Sequence, residues 1–219
     1  MAYNFVRNNV NQTTSQYLGV DAAISIAMPL TIVARCKINL ANTNHNIAAV
    51  QIAGGNQAYS IGVNSGANAP FSTAVAGGVS SFYTATALPI TIGVWQFIAV
   101  VFASTTSRTV YSNGNSLSSG GSFTSPGTVT GVRIGARDNP GGGLNAPATA
   151  DIAEVGIWRV SLNVNEIRSL VAGVTPDRIR PQSLAFYAPL IREPVDFCGG
   201  FTLTNTNDAT VSDHPRVYA

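Results

Sequence analysis

Charged side chains are scarce in this sequence of 219 residues. Asp, Glu, Lys and Arg make up 10% of it, against about 25% in an average soluble protein. Soluble monomers normally rely on surface charge for their solubility. Two interpretations are therefore open: a β-rich domain with an uncharged polar surface, or a surface that is largely buried in a larger assembly.

Acidic residues are absent from the long central segment between residues 22 and 137. Hydrolysis of a glycosidic bond requires two carboxylates that flank the bond, about 5 to 9.5 Å apart. Asp151 and Glu154 are three residues apart, so on a regular strand they would point to opposite faces. We therefore expect no enzymatic activity and no catalytic residues.

Lysine is nearly absent, since Lys37 is the only one. The net charge of +2 is too small to indicate nucleic-acid binding. The other cations are arginines, which are enriched at protein interfaces, and several lie in the proline-rich C-terminal third. They are either paired within the chain or in contact with a partner. The residues predicted to bind a partner are Arg178, Arg180, Arg192, His214, Arg216 and Tyr218.

Long apolar runs are also missing. The start, MAYNFVRNN, contains no apolar core of a signal peptide, and no run approaches the roughly 18 residues that a membrane span needs. We expect a chain that is made in a cytoplasm and does not enter a membrane. In that reducing compartment no disulfide is expected between Cys36 and Cys198.

Short segments of alternating polarity, separated by Gly- and Asn-rich turns, fill most of the chain. Residues 95–103 (WQFIAVVFA) are apolar on both faces, which predicts a central strand. Asn113 and Gly114 form a strong hairpin signal. Strands do not alternate with long helices, so a parallel sheet is excluded. The sequence predicts an all-β, antiparallel sandwich with turns about every 8–12 residues.

One strand leads directly into a short helix. Residues 151–160 are largely apolar on both faces, which predicts a strand inside a covered sheet. Asn163 is a good N-cap, Glu166 completes a capping box, and Leu162 with Ile167 forms a hydrophobic staple. Gly173 then ends the helix.

These segments resemble the laminin-G-like, concanavalin A-like lectin/glucanase domains over residues 1–175. The resemblance is carried by the ordered motifs WQFIAVVF (95–102), RTVYSNG (108–114), VRIGAR (132–137), DIAEVGIW (151–158) and LNVNEIRSL (162–170). It implies a jelly roll of two large antiparallel sheets with one short helix. Residues 176–219 are then a Pro- and Arg-rich extension that packs on the sandwich or on a neighbour.

The C-terminal part resembles laminin-G-like proteins of tailed bacteriophages. The matching motifs are LAFYAPL (184–190), TLTN (202–205) and DHPRVY (213–218). The resemblance implies a structural protein of the virion, made in the host cytoplasm, that decorates or cements the capsid. Its expected partners are the major capsid protein or other virion proteins, and further copies of itself in a homo-oligomer. The alternative is a lectin-like adhesin or tail-associated protein that binds host polysaccharide.

The family resemblance implies two ligands. A sugar-binding face needs aromatic and amide side chains, and Tyr59, Tyr83, Tyr111 and Asn113 are the predicted set, with Phe82, Asn56 and Gln57 as further candidates. Calcium needs several oxygen ligands. Asp138, Asn139 and Asp151, or Asp21, would supply them, although no cofactor is required by the sequence. His45 is expected to be a polar surface residue of a turn.

Overall fold

A computed structural model shows two large antiparallel sheets, and it describes residues 2–8, 12–64, 66–119, 121–215 and 217. The first sheet runs in the order β10 (Asn115–Ser119), β9 (Ser107–Ser112), β8 (Trp95–Ser104), β3 (Leu30–Ile38), β14 (Ala150–Trp158), β1 (Ala2–Phe5) and β17 (Thr210–Ser212), with β15 (Leu184–Ala188) also paired to β14. The second sheet runs in the order β16 (Thr204–Thr206), β2 (Tyr17–Val20), β11 (Gly131–Ile134), β4 (His45–Gln51), β5 (Ala58–Asn64), β6 (Ala69–Ala76) and β7 (Val79–Thr84).

The main core lies between the two sheets and follows from strand alternation. On β3, Leu30, Ile32, Ala34, Cys36 and Ile38 all face inward, as their period of two predicts. The prediction of an antiparallel jelly-roll sandwich is confirmed. Cys36 and Cys198 are both free.

A second, smaller core covers the outer face of the first sheet. Here α1 (Val164–Val171) packs Ile167 and Leu170 against residues of β3, β8 and β14. Trp158 is fully buried in this core, and its indole Nε1 donates to the Ile179 carbonyl at 2.7 Å. The strand β14 is therefore covered on both faces, as its double apolar pattern predicts.

Both ends of α1 are capped as the sequence predicts. The Asn163 side chain accepts from the backbone N–H of Glu166, and the Glu166 carboxylate accepts from the backbone N–H of Asn163 at 2.7 Å. At the other end Gly173 has φ +107, and the bonds from Gly173 to Leu170 and from Val174 to Ser169 form a Schellman motif. The Arg35 guanidinium of β3 donates to the last helical carbonyls, which ties the helix to the sheet.

The C-terminal segment from residue 176 onward is built into the sandwich. It supplies β15 and β17 to the first sheet and β16 to the second. Asp196 is fully buried and accepts from the backbone N–H groups of Tyr187, Cys198 and Gly199, which fixes the turn that follows β15. In the described part of the chain, no helix is long and apolar enough to cross a membrane.

Two local expectations were wrong. The run DNPGGGLNAP (138–147) is rich in glycine and proline, which predicts a flexible exposed loop. In the structure this region forms a short hairpin of β12 (Arg137–Asp138) and β13 (Leu144–Asn145). The strand β14 carries a bulge between Ala153 and Gly156, and Glu154 there has φ +54. This extra residue puts Asp151 and Glu154 on the same outer face rather than on opposite faces.

Candidate functional site

The outer face of the second sheet carries small residues that make room for larger neighbours. Gly62 of β5 lies beneath Phe71 of β6, and a Cβ at Gly62 would come within 2.5 Å of the Phe71 ring. Gly19 of β2 lies beneath Arg133 of β11 in the same way, with the Arg133 Cδ 2.9 Å from a Cβ at that position. These glycines let an aromatic ring and a guanidinium lie flat on the sheet.

The β12–β13 hairpin crosses this face and is fixed to it. The Asp138 backbone N–H donates to the Gln51 side chain at 3.0 Å, and the Asn46 side chain donates to the Asn145 carbonyl at 2.9 Å. Its tip is the run Gly141–Gly142–Gly143, in which all three residues have positive φ, a conformation that only glycine adopts readily. The hairpin divides the outer face into two depressions.

The first depression, here called the phenylalanine cavity, has a volume of about 220 Å³. Phe82 of the edge strand β7 is 48% exposed, and its ring packs on Phe71 with centroids 4.7 Å apart. Hydroxyl and amide groups surround this pair of rings. The lining includes Phe71, Thr73, Ser80, Phe82, Arg137 and Asn145.

Arg137 is the one charged residue that lines the phenylalanine cavity. It is 3% exposed, and its Nη1 donates to the Asp138 carbonyl at 3.1 Å. Its Nε has no hydrogen-bond partner among the described residues. Burial lowers the pKa of Arg137 and nearby Asp138 opposes that shift, but an arginine remains charged at neutral pH.

The second depression, here called the tyrosine groove, lies on the other side of the hairpin and has a volume of about 360 Å³. Tyr17 lines it, and the Arg133 guanidinium stacks on the Tyr17 ring at 5.6 Å. Arg133 also pairs with Asp21 at 2.5 Å and with Asp138 at 3.2 Å. Burial works against the charge of Arg133, but these two carboxylates outweigh it and raise its pKa.

The candidate acidic residues Asp21, Asp138 and Asp151 are each engaged by a cation of the chain. Asp21 and Asp138 are brought together, but the Arg133 guanidinium lies between them. Asp151 lies on the other sheet and pairs with Lys37 at 2.7 Å. Among the described residues, no group of three or more His, Cys, Asp or Glu side chains could hold a metal ion. The donor set implied for calcium therefore does not fit, because cations of the protein already occupy its carboxylates.

The four residues predicted to bind sugar are not brought together. Tyr59 is 0% exposed in the main core, so it is not accessible to a ligand. The Tyr83 hydroxyl donates to the Ser118 carbonyl, and Tyr111 packs beneath α1 in the second core. Asn113 forms the β9–β10 turn, where its side chain accepts from the Phe97 backbone N–H. Of the three further candidates, Phe82 lines the phenylalanine cavity, and Asn56 and Gln57 do not.

Most of the described residues predicted to bind a partner have contacts within the chain. Arg178 is exposed and lies 3.7 Å from Asp177, and Arg180 pairs with Glu166 of α1. Arg192 is exposed in the loop after β15. Arg216 and Tyr218 lie outside the described residues.

His214 is held against the first sheet. Its Nε2 lies 2.9 Å from the Glu154 carboxylate and 3.1 Å from the Pro189 carbonyl. The Tyr187 hydroxyl donates to the same carboxylate at 2.7 Å. Burial and the adjacent Glu154 carboxylate raise the pKa of Tyr187, so its hydroxyl keeps the proton that it donates.

His45 is not the surface residue that was expected. It lies in β4 and is 1% exposed, with its Nδ1 accepting from the Thr149 backbone N–H and its Nε2 next to the Leu40 carbonyl. Burial lowers its pKa, which favours the neutral ring. His45 therefore joins two loops rather than serving a ligand.

Arg137 and Asn145 were missed by the sequence analysis, as was the pairing of Phe71 with Phe82. Strand alternation puts Phe71 and Phe82 on outward positions once the β6–β7 register is known, with Thr73 opposite Phe82. The sequence signal for the other two is the hairpin itself, since glycine-rich turns connect paired strands.

Two large antiparallel sheets with an open polar outer face define a lectin-type β-sandwich. A family model described as the concanavalin A-like lectin/glucanases superfamily matches residues 12–168. The chain therefore belongs to this superfamily, and the predicted family is confirmed. Among curated protein sequences, none matches the chain.

Three solved structures illustrate the range of similar folds. A Bacteroides ovatus protein to which carbohydrate binding has been ascribed is 19% identical, with a TM-score of 0.65 over 100% of this chain and 61% of that one. A heptameric pentraxin from Limulus polyphemus is 18% identical, with a TM-score of 0.58 over 77% and 80%. The enzymatically active domain of tailspike protein 2 from bacteriophage CBA120 is 13% identical, with a TM-score of 0.53 over 86% and 32%. At these identities the likeness concerns the fold.

Proposed function

We propose that this chain is a non-catalytic carbohydrate-binding module and that the phenylalanine cavity binds a sugar ring. The observation that carries the proposal is the exposed ring of Phe82, packed on Phe71 beside hydroxyl and amide side chains. The face of an aromatic ring is electron-rich and attracts the polarised C–H groups of a sugar. Thr73, Ser80 and Asn145 would then fix the orientation of the sugar hydroxyls.

The arrangement of carboxylates supports binding without hydrolysis. The phenylalanine cavity has no Asp or Glu among its lining residues. Beside the tyrosine groove, Asp21 and Asp138 both accept from one guanidinium, so they do not flank a space for a glycosidic bond.

A printed glycan array tests this proposal, followed by calorimetric titration with the glycan that is retained best. Phe82→Ala should weaken binding at least tenfold, because the ring supplies the exposed apolar platform. Val79→Ala is the matched control, since Val79 is 75% exposed on the same strand but does not line the cavity.

The two variants should have the melting temperature of the parent chain to within a few degrees, because both changes are at exposed positions. Retention of no glycan by the parent chain would overturn the proposal. Equal binding by the parent chain and Phe82→Ala would place the sugar site elsewhere.

A role in the particle of a tailed bacteriophage is a second proposal. It is supported by the C-terminal sequence motifs and by the low charge, which suits a surface that is partly buried in an assembly. Contacts with a capsid protein, and self-association, belong to this proposal as well.

Quantitative mass spectrometry of purified particles tests the second proposal against the copy number of the major capsid protein. Hundreds of copies per particle would support capsid decoration. A handful would support a tail component that binds host polysaccharide, and no copies would overturn the particle role.

A further inference from the structure

We infer that the phenylalanine cavity selects sugars that carry a carboxylate, with Arg137 as the residue that recognises the negative charge. This inference rests on the proposed sugar binding and specifies its ligand class. The first observation is that Arg137 is a buried cation in the cavity wall whose Nε lacks a hydrogen-bond partner among the described residues.

The second observation is that no carboxylate among the described residues forms an ion pair with Arg137. Asp138 acts on Arg137 through its charge, but its carboxylate accepts from Arg133 at 3.2 and 3.3 Å and from the Gly54 backbone N–H at 3.4 Å. Arg137 instead contacts the backbone carbonyl of Asp138. A buried charge is normally paired, because its desolvation is costly otherwise.

Arg133 provides a comparison, because its guanidinium lies on the same outer face and is paired within the chain. It stacks on Tyr17 and pairs with Asp21 and Asp138, so both its charge and its N–H groups are satisfied within the chain. Arg137 lies on the same outer face, and the other described residues that line its cavity are uncharged. A carboxylate of a bound sugar would pair with Arg137 as Asp21 and Asp138 pair with Arg133.

The geometry of the cavity fits a sugar acid better than a free carboxylate. A pyranose ring that lies on Phe82 projects its substituents sideways, so an acid group on the ring can meet a guanidinium in the same wall. The remaining hydroxyls face Thr73, Ser80 and Asn145. Charge-assisted bonds between arginine and carboxylate are stronger than neutral ones and are often bidentate, which gives selectivity as well as affinity.

Calorimetric titration with two matched pairs of sugars tests this inference on the full chain. The pairs are trigalacturonate with its methyl ester, and 3′-sialyllactose with its methyl ester. Each ester removes the charge and keeps the ring, so a pair isolates the carboxylate. In at least one pair the acid should bind tenfold or more tightly than its ester, and the pair that responds identifies a uronic or a sialic acid as the source.

Arg137→Gln should abolish the preference for the acid while leaving the affinity for the ester within twofold. Phe82→Ala should weaken both members of the pair equally, because it removes the platform and not the charge. These two results together would separate recognition of the charge from recognition of the ring.

Equal binding of acid and ester by the parent chain would overturn the inference and leave sugar binding standing. Failure of all four probes, in a chain that retains neutral glycans on the array, would also overturn it. A blank array would overturn the proposed function itself, so the two failures are distinguishable.

A direct measurement keeps the inference testable if Arg137→Gln does not fold. In a ¹⁵N spectrum of the parent chain, the Nε–H resonance of Arg137 should shift on saturation with the acid and not with its ester. The Nε–H resonance of Arg133, which is already paired, should stay unchanged. An Arg137 resonance that is insensitive to the acid would contradict the assignment.

Discussion

The outer faces of the two sheets differ in how far other segments of the chain cover them. The outer face of the first sheet is covered by α1, by the residues around Ile179 and by His214, which bury Trp158 and Glu154. In the part of the chain that the structure describes, the outer face of the second sheet is crossed by the β12–β13 hairpin, which leaves the phenylalanine cavity and the tyrosine groove on either side. The chain itself therefore covers the outer face of the first sheet, here called the closed face. The outer face of the second sheet remains open and is here called the accessible face.

Buried polar side chains occur on both faces. Where the first sheet is closed, the Glu154 carboxylate accepts from Tyr187, and Arg35 donates to the helix carbonyls. On the outer face of the second sheet, several buried polar atoms lack a partner among the described residues. They are Asn46 Oδ1, Gln51 Nε2, Ser60 Oγ and Arg137 Nε. Unpartnered atoms also occur beside the first sheet, at Thr175 Oγ1 and Ser212 Oγ, so they do not by themselves distinguish the two faces. Such atoms are often completed by a ligand or by ordered water, and Arg137 Nε is the one whose residue lines the phenylalanine cavity of the proposed sugar site.

The largest expected effect comes from removing the carboxylate on which the closed face depends. Glu154→Ala should lower the free energy of unfolding by about 3 kcal/mol, because it leaves the buried Tyr187 hydroxyl without an acceptor and removes the contact with His214. Urea unfolding followed by tryptophan fluorescence measures this change. Trp158 lies in the adjacent core and reports on it directly.

Asp21→Ala is the matched control on the accessible face. The Asp21 side chain is 64% exposed, and its partner Arg133 keeps Asp138, so the loss should stay below about 1 kcal/mol. Equal destabilisation by the two variants would contradict the view that only the first sheet is closed by buried polar contacts.

The closed face was largely predictable from sequence because its signals are local. The Asn163–Glu166 capping box, the staple and the Gly173 stop all lie within a dozen residues. The double apolar pattern of β14 likewise requires a covering layer on each side. The hairpin turn at Asn113 and Gly114 has positive φ at both residues, as its type I′ geometry demands.

The accessible face was not predictable in the same way because it depends on register and on distant segments. Phe71 and Phe82 line the same cavity as Arg137 only because β6, β7 and the hairpin lie next to each other on the second sheet. Tyr59 alternates with outward residues of β5, and the sequence alone does not say which parity faces the core. The bulge at Glu154 left no sequence signal that we recognise, and it reversed the expected direction of that side chain.

A smaller effect is expected at the margin of the closed face, where Asp151 pairs with Lys37 and accepts from the Asn4 side chain at 2.7 Å. Burial alone would raise the pKa of Asp151, but the bonds from Lys37 and Asn4 outweigh it and hold the pKa below its usual value. Asp151→Asn should therefore cost about 1 to 2 kcal/mol at pH 7.

The cost of Asp151→Asn should depend on pH with a definite sign. A carboxylate whose pKa is depressed by folding stabilises the protein above its unfolded pKa of about 3.9, and that stability is lost as the pH falls through the lower, folded pKa. The difference in unfolding free energy between the parent chain and Asp151→Asn should be constant from pH 7 to about pH 5 and should shrink below pH 4. Lys37→Met removes one source of the depression, so the loss of stability on acidification that is due to Asp151 should be smaller in this variant and should end at a higher pH than in the parent chain. A difference that grows on acidification would show that Asp151 is stabilised in its protonated form. The ion pair between Asp151 and Lys37 would then make no contribution to stability.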